Sequence, residues 1–285
     1  MPHAHGHHGH PHAPHAHGHQ HGGDTTLRNV LDLDAEVARP QLEALTAHIA
    51  DRLGDHPVRT ILDIGAGTGT GTFALLERFP SATATTVDTA DDMLEHLTGS
   101  AARHGLADRI TMLRADLDAG WPETGKADLI WASSSMHHMA DPDRVLRDIR
   151  AALEPGGLFV MIEMESMPRF LPPGFAGDLE ERCLAAAAEA KAEHLPHLGS
   201  PWSARLAEAG FTLREERTLT VELPAPLTEN ALRYATTILA RYRATLTDRL
   251  TGTDLAALDE LLEPGSLQAR TGLTLRSTRD VWLAR

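Results

Sequence analysis

Four glycines stand at every second position after an apolar stretch, in the segment Thr60 to Gly71 (TILDIGAGTGTG). The apolar residues predict a β-strand, and glycine permits the positive φ and close backbone approach that a turn against a ligand requires. A dinucleotide motif, G-x-G-x-x-G, needs a third glycine at its sixth position. Counting from Gly65 or from Gly67 places threonine there instead. The loop therefore predicts a ligand held against the backbone and disfavours an NAD-dependent oxidoreductase.

Acidic side chains follow the next two predicted strands. Asp88 ends the strand 82–87 (ATATTV) and lies nineteen residues after Gly69, where a carboxylate can accept hydrogen bonds from both hydroxyls of a ribose. Asp116 and Leu117 follow the predicted strand Ile110–Leu113. Asp116 is either a ligand contact or a residue that caps a turn or helix.

This order of motifs resembles the class I S-adenosylmethionine (SAM)-dependent methyltransferases, with the match good over residues 57–163 and weak beyond. The resemblance implies a Rossmann-like, seven-stranded, mostly parallel sheet with helices on both faces and an antiparallel last strand. It also implies that Asp88 orients the ribose, Asp116 and Leu117 contact the adenine, and Ser133 lines the methionine end. The remaining cofactor-binding residues implied are Asp63, Gly65, Ala66, Gly67 and Gly69.

Two adjacent histidines, His137 and His138, follow the predicted fourth strand Ala127–Ala132. Methyl transfer from a sulfonium is an in-line displacement that alignment and exclusion of water can largely promote. A base is needed only when the acceptor must lose a proton. Each histidine is therefore a candidate for one of two roles, as a general base or as a residue that lines the wall of the acceptor pocket. Glu163 and Glu165, after the fifth strand, either bind an amine acceptor or cap a turn.

Alternating strands and helices predict a doubly wound parallel sheet. Helices are expected from about Pro40, Thr72 and Asp91, and Asp141 with Pro142 forms an N-cap and first turn. The segment Leu153–Val160 (LEPGGLFV) predicts the end of a helix, then a Pro-Gly-Gly turn, then the fifth strand. Residues 24–285 are expected to form one methyltransferase domain, whose helical insertions at about 164–200 and 225–265 make a lid over a small molecule.

Charge and composition narrow the classes of partner. The net charge of −14 over 285 residues disfavours a nucleic-acid substrate. No apolar run reaches the roughly 18–20 residues that a membrane span needs. Cys183 is the only cysteine, so no intrachain disulfide can form and a cytoplasmic location fits. The sequence leaves the oligomeric state open and allows a homodimer.

Histidine dominates the first 23 residues, which carry no Asp, Glu, Lys or Arg. Such a segment buries too little apolar surface to order itself, so it is expected to be a disordered tail. Clustered imidazoles suit loose binding of a divalent transition metal such as Zn²⁺, Ni²⁺ or Cu²⁺. The candidate ligands are His3, His5, His7, His8, His10 and His12. No catalytic metal is expected in the domain.

Two functions of different class follow from these patterns. The first is a SAM-dependent methyltransferase acting on an oxygen, nitrogen or activated carbon of a small organic molecule, such as a natural-product or quinone-like intermediate. The alternative is a non-catalytic protein with the SAM fold, whose work is metal handling through the His-rich tail.

Overall fold

Seven strands form one sheet in the computed structural model, which describes residues 21–164 and 166–285, with side chains from residue 27 onward. Their spatial order is β3-β2-β1-β4-β5-β7-β6, and β7 runs antiparallel to both of its neighbours. This arrangement confirms the predicted fold. The strands are β1 Thr60–Ile64, β2 Thr83–Asp88, β3 Ile110–Arg114, β4 Ala127–Ser133, β5 Leu153–Glu163, β6 Leu213–Leu223 and β7 Leu275–Ala284.

The direction of strand succession reverses between β1 and β4, which are parallel neighbours. In open α/β sheets, ligands bind beyond the carboxyl ends of the strands at such a switch point. The loop that follows β1 and the loop that follows β4 therefore meet at one place. The first loop carries the glycines and the second carries the two histidines.

Helices cover both faces of this sheet. One apolar cluster packs α2, α3, α8 and α9 against residues such as Trp131 of β4, and the other packs α5 and α7 against residues such as Ile130. Asp141 caps α5 as predicted, since its carboxylate accepts a hydrogen bond from the Arg144 amide at 3.0 Å. The described helices are α1 His21–Val37, α2 Arg39–Leu53, α3 Thr70–Arg78, α4 Asp91–Arg103, α5 Pro142–Ala152, α6 Leu179–Ala192, α7 Trp202–Glu208, α8 Glu229–Thr245 and α9 Gly252–Leu262. None of these helices combines the length and the apolar character that crossing a bilayer would require.

The fifth strand differs from the prediction at its start. β5 begins at Leu153, where the sequence predicts a helix end and a turn, and its pairing with β4 shifts register between Ala127 and Leu129. A Cβ on Gly157 would lie 2.7 Å from the carbonyl oxygen of Asp128. Because glycine lacks that atom, the two backbones approach closely and the irregular segment remains part of the strand.

The segment before the core also differs from the prediction. For residues 25–34 (TTLRNVLDLD) the sequence predicts only a short amphipathic lead, whereas α1 is a continuous helix that buries Val30, Leu33 and Val37 in the core. Its first three residues, 21–23, belong to the segment predicted as the tail. The remainder of that segment, including all six candidate metal ligands, lies outside the described residues.

Candidate active site

The glycine loop turns sharply from β1 into α3. Gly65, Gly67 and Gly69 have φ values of +67°, +52° and +85°, a region that residues with a Cβ seldom occupy. The amides of Gly65 and Ala66 both donate to the carbonyl oxygen of Val87, at 2.8 and 3.2 Å. The loop is therefore fixed against the end of β2.

Two of the glycines are also required by the packing of the protein itself. A Cβ on Gly65 would lie 2.4 Å from the Cβ of Ser135, in the loop after β4. A Cβ on Gly71 would lie 2.3 Å from Nε1 of Trp131. Both distances are far shorter than carbon contacts allow, so these positions need glycine whether or not a ligand is bound.

Helix α1 lies across the glycine loop. A Cβ on Gly67 would meet Cδ1 of Leu31 at 3.5 Å, an ordinary van der Waals contact. Asp32 reaches α4 on the far side of the loop, where its Oδ2 lies 3.2 Å from Nε2 of His96. The helix thus forms a cap over the carboxyl ends of β1 and β2.

Asp88 lies at the end of β2, half-buried beside the loop. Its Oδ2 accepts a hydrogen bond from the Gly67 amide at 2.8 Å, and its Oδ1 accepts one from the Ala90 amide at 3.0 Å. Each carboxylate oxygen can accept a second hydrogen bond. The side chain is therefore held in one orientation and keeps the capacity to bind a pair of hydroxyls.

Asp116 and Leu117 follow β3, next to the end of β2. Asp116 is exposed, and its Oδ1 accepts the Asp118 amide at 2.9 Å, so the residue forms an Asx turn. Leu117 is buried in the apolar cluster that α5 covers. The turn alternative considered for Asp116 is present in the structure, and an adenine contact by either residue stays a prediction.

Asp63 is buried in β1, directly beneath the loop. The hydroxyl of Thr72 donates to its Oδ2 at 2.5 Å, which joins β1 to α3. The pKa of Asp63 is raised to about 7, chiefly because burial disfavours the charged form; the Thr72 hydrogen bond opposes this shift and the negative charge of Asp88 adds to it. A cation bound above the loop would favour the ionised form of this carboxyl group.

His137 is paired with Glu163, the last residue of β5. Nδ1 of His137 lies 2.5 Å from Oε2 of Glu163, and Oε1 of the same carboxylate accepts the Met136 amide at 3.0 Å. Both side chains are buried, with exposures of 8% and 4%. The turn alternative for Glu163 is therefore observed, together with a histidine contact that sequence reasoning missed.

His138 is the more exposed of the two histidines, and its ring centroid lies 4.2 Å from that of His137. The pKa of His138 is lowered to about 4, chiefly by partial desolvation and also by the neighbouring His137 and Lys191, while the charge of Asp88 opposes the shift. His138 is therefore neutral at neutral pH.

Ser133 and Ser135 complete the loop after β4. Ser133 is the last residue of that strand and pairs with Ile162 of β5. The hydroxyl of Ser135 donates to the Ile64 carbonyl at 2.8 Å, which binds the loop to the end of β1. The structure thus brings the carboxyl ends of β1, β2, β4 and β5 together around one site.

Other candidates lie away from this site or outside the described residues. Burial raises the pKa of the Cys183 thiol to about 11, which keeps it unreactive at neutral pH. Glu165 lies outside the described residues. Within the part of the chain that the structure describes, no group of three or more His, Cys, Asp or Glu side chains is arranged to hold a metal ion.

Residues 62–159 match the sequence profile of a methyltransferase domain. Over this segment, about a third of the chain, the protein is therefore similar to a methyltransferase domain, and its sheet has the fold that the motifs predict.

Three relatives with curated descriptions show the range of proteins to which this domain is similar. A trans-aconitate 2-methyltransferase from Azoarcus sp. is 34% identical over 39% of this chain and 39% of its own length. A malonyl-[acyl-carrier protein] O-methyltransferase from Chlorobium phaeovibrioides is 30% identical over 44% and 48%. A 27-O-demethylrifamycin SV methyltransferase from Amycolatopsis mediterranei is 29% identical over 49% and 52%. The chain thus spans about half or less of the length of these relatives.

Solved structures share the fold over a larger part of the chain. A Bacillus halodurans protein provisionally classed as a methyltransferase has a TM-score of 0.54 and 16% identity, covering 84% of this chain and 97% of its own. An O-methyltransferase family protein from Burkholderia thailandensis has a TM-score of 0.50 and 20% identity, covering 69% and 57%. At these identities the likeness concerns the fold alone.

Proposed function

We propose that this protein transfers a methyl group from SAM to an oxygen, nitrogen or activated carbon of a small organic molecule. The observation that carries the proposal is the convergence of the glycine loop, Asp88 and the His137–Glu163 pair at the switch point between β1 and β4. The methyltransferase domain and the similarity to small-molecule methyltransferases support it.

The residues present fit a cationic nucleoside. The loop has a backbone that only glycine adopts readily, Asp88 is oriented to accept ribose hydroxyls, and Asp63 lies beneath the loop as a buried acid. SAM, when bound, would supply an electrophilic methyl group whose departure leaves a neutral thioether. The cofactor contacts proposed are those of Asp63, Gly65, Ala66, Gly67, Gly69, Asp88, Asp116, Leu117 and Ser133.

The protein's own contribution would be alignment and exclusion of water. Helix α1 lies across the glycine loop, and Lys191 of α6, in the first of the two predicted lid segments, lowers the pKa of His138. We expect α6, α8 and α9 to form the lid over the acceptor. Holding two reactants in line inside a closed site removes much of the entropic barrier to displacement. The acceptor would therefore lie between the two histidines and the lid.

Two measurements test this proposal. Calorimetric titration of the full chain with S-adenosylhomocysteine should give saturable binding. Incubation with SAM and fractionated small-molecule extracts should release S-adenosylhomocysteine in at least one fraction. Binding without release in any fraction would favour the non-catalytic alternative, and absence of binding would contradict both.

A further inference from the structure

Resting on the proposed function, we infer that Glu163 is a positioning residue that fixes His137 as the general base of the reaction. The acceptor would then be a hydroxyl or enol, which must lose a proton on methylation. A carboxylate acceptor is already ionised at neutral pH and needs no base. The two histidines would thus have different roles, with His138 forming the wall beside the base.

The hydrogen bonds of Glu163 define the tautomer of His137. One carboxylate oxygen accepts the Met136 amide and the other faces Nδ1 of the imidazole. An ionised carboxylate only accepts hydrogen bonds, so Nδ1 carries the hydrogen and Nε2 keeps its lone pair. The same carboxylate stabilises the imidazolium that forms when Nε2 takes a proton, as in other oriented histidine bases.

The surroundings of His137 leave Nε2 available. Nε2 has no hydrogen-bond partner among the described residues. The atom is not sealed from solvent. The ring lies in the loop that Ser135 anchors to the end of β1, beside the glycine loop. A proton acceptor is therefore free on a ring that is otherwise buried.

His138 differs in each of these respects. No carboxylate of the described residues bonds its ring, and the charged groups that act on it are His137, Lys191 of α6 and Asp88 of β2. Its pKa is lowered to about 4, which makes it a weak base. The charged group in contact with His137 from another element is Glu163 of β5.

The chemical step balances with the groups named. The acceptor oxygen forms a bond to the methyl carbon as the carbon–sulfur bond of SAM breaks and its electron pair stays on sulfur. Nε2 of His137 takes the acceptor's proton, which then passes to solvent. Glu163 keeps its charge throughout.

Nitrogen-15 NMR of the imidazole rings tests the tautomer without any turnover. In the full chain at neutral pH, the signals lost in His137→Asn should report a hydrogen on Nδ1 and none on Nε2. Glu163→Gln should weaken this preference, because an amide offers one acceptor for two donors. Glu180→Gln is the matched control, since Glu180 is also buried and accepts two backbone amides. A wild-type signal with the hydrogen on Nε2 would overturn the inference.

Kinetics with hydroquinone as the probe acceptor supply the second test. His137→Asn and Glu163→Gln should each lower kcat by about 10²-fold or more and abolish the acid limb of the pH–rate profile. Glu163→Asp should restore part of the rate, and S-adenosylhomocysteine affinity should stay within about twofold. An acid limb lost in His138→Asn but retained in His137→Asn would overturn the assignment. Failure of the wild type to bind S-adenosylhomocysteine would instead count against the proposed function, and the NMR result would still decide the tautomer.

Discussion

The carboxylate of Asp34 in α1 accepts two hydrogen bonds from Nη2 of Arg279 in β7, at 2.6 and 2.7 Å, across 245 positions of the chain. The buried hydroxyl of Tyr234 in α8 donates to the same carboxylate at 2.8 Å. One side chain therefore connects the cap over the glycine loop with both the sheet and α8. These hydrogen bonds hold α1 in its position across the glycine loop.

Tyr234→Phe should lower the free energy of unfolding by about 1 kcal/mol, because it removes one hydrogen bond to Asp34. Asp34→Ala should cost about 1–3 kcal/mol, since it leaves both donors without that acceptor. Urea denaturation measures both changes. Tyr242→Phe is the matched control, because the buried hydroxyl of Tyr242 has no hydrogen-bond partner among the described residues. An equal loss in the control would show that the hydrogen bond contributes nothing.

Asp88→Ala should weaken binding of S-adenosylhomocysteine by roughly 2–3 kcal/mol. The change removes a charged acceptor for two hydroxyls and also the hydrogen bond that fixes the Gly67 amide. Isothermal titration calorimetry measures the loss. Asp91→Ala is a suitable control, since Asp91 is 74% exposed and pairs only at the surface with Arg114. Unchanged affinity in Asp88→Ala would remove this residue from the cofactor site.

The thermal stability of the ligand-free protein should carry a pH dependence that originates at Asp63. Its folded pKa of about 7 exceeds the ordinary value of 3.8, so the folded state holds a proton that the unfolded state has lost between those values. Stability then falls as pH rises through this window and levels off above it. In Asp63→Asn this dependence is absent, so the Tm of the wild type relative to the variant should fall between pH 5 and 8. A constant difference would contradict the raised pKa.

Removal of residues 1–20 should leave methyl transfer within about twofold of the full chain and abolish most retention on a nickel resin. The described part of α1 supports this expectation, because its buried residues begin at Val30, well after the deletion. Turnover and resin binding are measured on the same pair of proteins. A large loss of turnover would mean that the tail contributes to the active site.

The sequence was sufficient where function depends on local pattern. The strand and glycine turn from Thr60, the acid at the end of β2 and the cap at Asp141 each follow from residues within a few positions of one another. The fold followed because these local units repeat in the order of a doubly wound sheet.

What could not be predicted depends on contacts between distant segments. Glu163 and His137 are separated by 26 positions, and they meet because β4 and β5 are neighbours and the chain turns at Ser134 with φ +52°. The continuous helix α1 could not be predicted from local sequence for the same reason. Its sequence is mostly polar, and the helix is stabilised by packing its few apolar residues on the core. The glycine pattern predicted the loop but gave no sign of the close approach between Gly65 and Ser135.

That approach has an evolutionary consequence. The Cβ of Ser135 occupies the space that a side chain at position 65 would need, and the Ser135 hydroxyl donates to the Ile64 carbonyl at the end of β1. Every residue at position 135 except glycine keeps this Cβ, so a substitution at position 65 is sterically tolerable only together with glycine at position 135, and the φ of +67° opposes it even then. These two positions, 70 residues apart in the chain, should change as a pair among descendants of this sequence, and single changes at position 65 should be eliminated by selection.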